Sequence, residues 1–308
     1  MPILYDTHMH SSFSTDSNAP MDDMVRKAMD LGLSGICITE HLDPDFPTDY
    51  FPDDPAAFQA DPAEVLKTVR SLTDLLRAKP AAVPADADGK PAADHAFTAD
   101  GAVRQAGPGS AFRIGFGIEF GMQPHLGPEF EAIASAHPFD FIIASQHLVR
   151  GRDPYYAEEW KGYTMEEVIG RYYEEMLEGL RKMPQWDTLG HLDYIIRYIP
   201  GCGSVPYDSM EEHPDLVDAV LEYVIRSGKS LEVNTTGYKY GLGQPHPAPS
   251  VLKRYRELGG TMITIGADAH APQHIAFDFE KARRLLLSLG FHSYVVYEHR
   301  TPHAFSLE

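Results

Sequence analysis

Cysteine is scarce: two residues in a 308-residue chain leave no disulfide framework to read. Cys37 and Cys202 form no C-x-x-C pair, and Cys37 sits inside the apolar run GICIT, the setting of a buried, inert thiol. Long hydrophobic stretches are missing too, since no run nears the roughly 20 residues that cross a bilayer. The N-terminus lacks a basic segment followed by a long apolar one, so the expectation is a cytoplasmic protein without a membrane partner. Positive charge is short: 26 Lys and Arg against 45 Asp and Glu give a net charge of -19, which argues against a broad grip on nucleic acid. A small anionic substrate stays compatible, because bound divalent cations reverse the field locally. No G-x-S-x-G elbow or P-loop occurs, which leaves serine-nucleophile and nucleotide-driven chemistry without support.

What the chain does contain is short apolar runs alternating with amphipathic segments, the signature of parallel strands joined by crossover helices. Strands are expected at 3–5, 35–39, 113–118, 139–144, 188–190, 230–233, 262–265 and 294–297. Helices are expected at 21–31, 62–77, 128–136, 165–183, 214–227, 249–258 and 275–289. Asp22 and Asp23 suit the start of the first helix and Gly32 its end, and several later helices open on Pro. With 43% hydrophobic residues the chain can bury one large core, so one α/β domain over 1–308 is expected. The string rich in Ala, Pro, Gly and Asp at 79–111 reads as an inserted, weakly ordered loop.

Polar residues recur where those strands end. His8 and His10 follow the first, His41 follows GICIT, Glu119 follows IGFGI and His147 follows FIIAS. His191 in GHLD, Asn234 in LEVN, and Asp268 with His270 in GADAH complete the set. Residues two apart on an extended strand point the same way, so H-x-H and D-x-H can each grip one ion. In a closed parallel barrel all strand C-terminal ends open on one face, which gathers the whole set. Any one of these histidines alone is an ordinary core or surface imidazole; together they have the ligand chemistry of a transition-metal site. Glu40 should point to the opposite side of its strand, and His125, His246 and His274 read as exposed loop histidines.

The strings DTHMHSSFSTD, ITEHLD, GIEFG, SQHLV, GHLDY, EVNTTG and GADAH, in that order, resemble the polymerase and histidinol phosphatase (PHP) superfamily, most of all its histidinol-phosphate phosphatases. The likeness spans nearly the whole chain outside the insertion. It implies a distorted TIM-like (β/α)7 barrel holding three divalent transition-metal ions, Zn, Mn or Fe. Carried over motif by motif, the ligands are His8, His10, Asp16, His41, Glu119, His147, His191, Asp268 and His270, with Asp268, His270 and Glu119 as catalytic positions. Asp16 lies in a turn rich in Ser and Asp, where a capping role explains it equally well.

For phosphate capture the candidates are Arg197 and Lys239, each just beyond a ligand-bearing strand, with a solvated surface cation as the alternative for both. Arg150 and Arg152 are weaker candidates. The expected chemistry is metal-dependent hydrolysis of a small phosphate monoester, which the resemblance narrows to L-histidinol phosphate. A nucleotide phosphoesterase of the same superfamily is the first rival. An amidohydrolase lacks its metal-bridging Lys here, and a non-catalytic metal-stabilised domain is the last alternative.

Overall fold

The computed structural model describes residues 3–78, 111–198 and 207–308. Cys202 and nearly all of the insertion expected at 79–111 lie outside them. Strands β1 (Tyr5–Asp6), β2 (Gly35–Ile38), β3 (His41–Leu42), β4 (Arg113–Gly121), β5 (Phe141–Ser145), β6 (Thr188–Leu189), β7 (Ser230–Asn234) and β8 (Ile263–Gly266) form one parallel sheet. The order is β1-β2-β4-β5-β6-β7-β8, with β3 also on β4. Gly35 pairs with Arg113 and His41 with Glu119, the same register, so β2 and β3 are one strand interrupted at Thr39 and Glu40. The sheet therefore has seven barrel strands. Closure comes just past the ends of β1 and β8, where the Thr7 amide donates to the Ile265 carbonyl and the His10 amide to the Ala269 carbonyl.

Helices α1 (Met21–Asp30), α2 (Pro62–Ala78), α3 (Gly127–Ala136), α4 (Met165–Lys182), α5 (Ser209–Glu212), α6 (Pro214–Arg226), α7 (Thr236–Lys239), α8 (Pro249–Glu257) and α9 (Phe279–Ser288) connect the strands. Their ends follow local chemistry. Gly32, with φ +76°, stops α1, and Thr164 with Glu167 makes a capping box at the start of α4. The last helix begins four residues later than the expected 275, because Ala276 and Asp278 both have positive φ and the Ala276 amide is spent on the Asp6 carboxylate. Among the described residues no helix is long and apolar enough to cross a membrane.

Strand β4 shows how one stretch serves two surfaces. Ile114, Phe116, Ile118 and Phe120 join the main core, with the Phe120 ring stacked 4.3 Å from Phe130 of α3. The alternate positions are Gly115, Gly117, Glu119 and Gly121, which turn to the barrel interior. A Cβ at Gly117 would stand 2.8 Å from the Cys37 sulfur, so the bare glycine lets the neighbouring strands close up.

The expected last strand is real but lies outside the barrel. β9 (Ser293–Glu298) pairs antiparallel with β10 (Thr301–Ser306), a strand the sequence reading missed. This hairpin seals the end where the barrel strands begin. Tyr297 Oη donates to the Asp187 carbonyl at 3.0 Å and lies 2.7 Å from Ser230 Oγ, while Tyr294 Oη accepts from the Leu4 amide at 3.1 Å. Val295 and Tyr297 pack with Cys37, Phe141 and Ile143 as a small apolar plug. The other end of the barrel is left for polar side chains.

Candidate metal centre

Four of the expected side chains follow one rule of position: His8, His147, His191 and Asp268 each stand two residues past the last residue of a strand. Parallel pairing puts all those strand ends on one side, so residues 260 positions apart in sequence meet. Glu119, inward-facing on β4, is the centre of the group. Its Oε2 lies 3.3 Å from His8 Nε2, 3.4 Å from His10 Nε2 and 3.0 Å from His41 Nδ1. Its Oε1 lies 3.2 Å from His147 Nε2 and 3.0 Å from His191 Nε2, and accepts a 2.6 Å bond from Ser145 Oγ.

Asp268 forms the second focus, with Oδ1 3.3 Å from His10 Nε2 and 3.8 Å from His8 Nε2. It has φ +48°, a conformation uncommon outside glycine and held here by the closure of β1 on β8. Asp16 Oδ2 reaches His270 Nε2 at 3.0 Å and His41 Nε2 at 3.6 Å, which brings the loop after His10 to the same place. All nine expected ligands are thus gathered, with Asp16 the most exposed of the carboxylates facing them.

Ligand-sized groupings emerge: His8, His10 and Asp268; His10, His41 and His270; Glu119, His147 and His191; and His41, Asp43 and His147. His8 Nε2, His10 Nε2, His41 Nδ1, His191 Nδ1, His270 Nε2 and Glu119 Oε2 are buried without a hydrogen-bond partner. Buried polar atoms are ordinarily paired, and so many orphans on residues gathered round Glu119 and Asp268 have the donor chemistry of a metal centre. The residues present fit divalent transition metals.

The electrostatics agree. Burial opposes ionisation of Glu119, yet the imidazoles of His8, His147 and His41 outweigh it and hold the carboxyl well below its usual range. Burial likewise disfavours a charged His147, and Asp43 with Glu119 reverses that, raising its pKa to about 10. His8 is held well above the ordinary range, against burial, by Glu232, Glu119 and Asp268. His10 goes the other way, down to about 3, through burial and the neighbouring His41 and His270.

Several functional neighbours escaped the sequence reading. Glu232 Oε1 is 2.6 Å from His8 Nδ1 while its Oε2 accepts the His191 amide at 2.8 Å. Asp43 Oδ1 sits 2.8 Å from His147 Nδ1, and a Cβ at Gly121 would come within 1.7 Å of that oxygen. The signals were present: Glu232 is two before Asn234, and Asp43 two after His41, each on the inward parity of its strand. Asn234 Nδ2 donates to Asp268 Oδ2 at 3.3 Å. Glu40, left out of the expected ligand set, is fully buried, its carboxylate taken by the Ser11 amide and the Ser11 and Ser14 hydroxyls.

His246 corrects an expectation. It is fully buried, its Nδ1 2.6 Å from Asp193 Oδ1, because its backbone pairs with Asn234 and draws it under the loop after β7. His125 is exposed as expected, against Asp45. Arg150 and Arg152 sit on the surface in other company, with Tyr163 and Asp49 respectively.

Arg197 lies in a 3-10 turn (Tyr194–Tyr198) after β6, and Lys239 is the last residue of α7, after β7. The Arg197 guanidinium is stacked between Tyr194 at 4.5 Å and Tyr240 at 4.2 Å and donates to Thr236 Oγ1 at 3.0 Å, while its Nε is buried and unpaired. Burial lowers the Lys239 pKa, with Asp268 pulling it back up. A cleft of about 370 Å³ opens here, lined by Tyr155, Arg197, Tyr198, Tyr240 and Leu242.

Comparison with known proteins agrees with this geometry. A histidinol-phosphatase from Lactococcus lactis is 27% identical over 290 residues, covering 93% of this chain and 91% of that protein. A probable histidinol-phosphatase from Clostridium acetobutylicum is 26% identical over 284 residues, 92% of each. The crystal structure of the Lactococcus lactis histidinol phosphate phosphatase with zinc, L-histidinol and phosphate superposes with a TM-score of 0.76 at 25% identity, covering 97% of this chain and 98% of that one. A putative histidinol phosphatase from Listeria monocytogenes, 16% identical, shares the fold with a TM-score of 0.65, covering 90% of this chain and 99% of that one. The profile described as PHP domain matches residues 6–236, most of the chain, and the protein therefore belongs to the PHP-domain family.

Proposed function

We propose that this protein is a metal-dependent phosphatase that hydrolyses L-histidinol phosphate to L-histidinol and phosphate. The observation that carries the reading is Glu119, a buried carboxylate with five imidazoles within 3.4 Å, several of them with unpaired nitrogens. Kinship with phosphatases of that name, and with one whose structure holds zinc, L-histidinol and phosphate, supports the substrate.

Three divalent ions are assigned, with zinc favoured over manganese or iron by the Lactococcus lactis structure. His8, His10 and Asp268 would hold one, Glu119, His147 and His191 a second, and His41, His270 and Asp16 a third. When bound, such ions lower the pKa of coordinated water and neutralise phosphoryl charge. The chain's own part is orientation. Glu232 and Asp43 hold the rings of His8 and His147, and Asn234 holds Asp268. Arg197 is pinned by two tyrosines with an unpaired N–H to offer, and with Lys239 it would orient a dianionic phosphate. The tyrosine-lined cleft would receive the alcohol portion of the ester.

The whole chain, 1–308, acts as one such domain in this reading; one eight-stranded sheet and one large apolar cluster running from Ile3 to Leu307, which also takes in residues of the C-terminal hairpin, support it. The reading also places the protein in the cytoplasm, where the free, buried Cys37 thiol fits a reducing setting. The test is phosphate release from a panel of esters by protein reconstituted with Zn, Mn or Fe. Histidinol phosphate should show the highest kcat/KM; equal or better hydrolysis of a nucleoside or sugar phosphate would reject the substrate, and metal-independent activity would reject the mechanism.

A further inference from the structure

Of the rings around Glu119 and Asp268, His8 and His147 are braced at Nδ1 by a carboxylate, whereas His10 is braced by a hydroxyl. His10 Nδ1 lies 3.2 Å from Ser14 Oγ, and Ser14 Oγ lies 2.6 Å from Glu40 Oε2. The same oxygen accepts the His41 backbone amide at 3.1 Å. His10, Ser14 and Glu40 are all buried.

The proton count fixes the direction of each bond. Glu40 takes the Ser11 amide at 3.1 and 3.0 Å and the Ser11 hydroxyl, so its contacts are those of a carboxylate acting as acceptor. Ser14 has one proton, and it goes to Glu40. One lone pair of Ser14 Oγ takes the His41 N–H, a donor that cannot be reversed. The remaining lone pair can only accept, so His10 carries its proton on Nδ1, and its Nε2 is left as a lone pair facing Glu119 and Asp268.

We infer that Ser14, oriented by Glu40, is a positioning residue that sets the metal-binding tautomer of His10 and ties it to the segment bearing His41. His10 belongs to two of the ligand-sized groupings, so one hydroxyl serves both. A short relay replaces a direct carboxylate, which keeps another negative charge off the His10 ring while still fixing its proton. The inference rests on the metal reading proposed above.

The test uses the full-length protein, zinc and a competing chromophoric chelator, with ring N–H signals of 15N-histidine-labelled, zinc-loaded protein as a second readout. S14A should weaken zinc binding by roughly 10–100-fold, the usual cost of removing a partner behind a ligand, and should abolish the protected His10 Nδ1–H signal. S11A removes an equivalent bond to Glu40 without touching His10, and should keep both the zinc affinity and the signal. E40A removes the acceptor of the Ser14 proton, leaving that proton free to turn toward His10, and should resemble S14A; it carries the test if S14A does not fold. Unchanged affinity and signal in S14A or E40A, or an equal loss in S11A, would overturn the inference. If the wild-type protein takes up no zinc, both this inference and the metal reading fall; zinc uptake without phosphatase activity removes only the proposed function.

Discussion

His8 Nδ1 and Glu232 Oε1 stand 2.6 Å apart across a gap of 224 residues, both fully buried. Glu232 also accepts the His191 amide, so one carboxylate orients two of the residues that face Glu119. Replacing Glu232 with Ala should lower metal affinity and turnover by roughly 10–100-fold. Chelator competition and steady-state kinetics check this; a variant that keeps both would show that Glu232 only fills space.

His10→Ala and Asp268→Ala remove groups at the focus of the cluster. Each should lose more than about 100-fold in turnover, beyond what losing a partner behind a ligand costs. Circular dichroism should change little, because the apolar core and the strand pairing lie outside the site. Near-normal turnover in both would refute the ligand assignment.

Metal loading should expel protons. In the metal-free protein His147 titrates at about 10, and His8 and His41 lie well above the ordinary range, all against the opposing effect of burial, because carboxylates face them. They are therefore charged at neutral pH and must lose protons to bind cations. Adding zinc to weakly buffered metal-free protein should acidify the solution, and zinc affinity should rise with pH. For the metal-free state alone the sign is opposite: the stabilisation from His147 is fully present below its unfolded pKa of about 6.5 and is lost as pH rises through about 10. A pH-stat trace without proton release would contradict the charge states.

Arg197→Met and Lys239→Ala test phosphate capture. Each should cost about 1.5–3 kcal/mol in kcat/KM if it donates a charge-assisted hydrogen bond to the phosphate. Inorganic phosphate should inhibit both variants more weakly. Wild-type inhibition by phosphate in either would remove that residue from the phosphate site.

Arg300→Ala probes the opposite end of the barrel. Arg300 pairs with buried Asp187, whose pKa burial raises and Arg300 draws back down, and the same carboxylate accepts the Ile142 amide at 2.8 Å. Losing the cation should destabilise the fold by about 3 kcal/mol. Thermal melts should shift down while kcat at low temperature stays near wild type; a fall in kcat without a fall in stability would mean that the hairpin communicates with the site.

The sequence alone determined the alternating strands and helices and the strand-end members of the gathered set, because both depend on local order, while the seven-unit barrel and Asp16 entered through the resemblance to the PHP superfamily. Strand parity and strand ends are read directly from runs such as IGFGIEFG and FIIASQH, and a parallel barrel puts every such end on one face. The pairings behind the roster were decided by tertiary structure. Nothing local joins Asp43 to His147, Glu232 to His8 or Asp193 to His246, since each contact is made by strands or loops brought together only when the barrel closes. The C-terminal hairpin shows the same limit: 294–297 reads as one more strand, and only the filled seven-strand circuit, closed by residues 7–10 on 265–269, leaves it outside as the plug beneath the core.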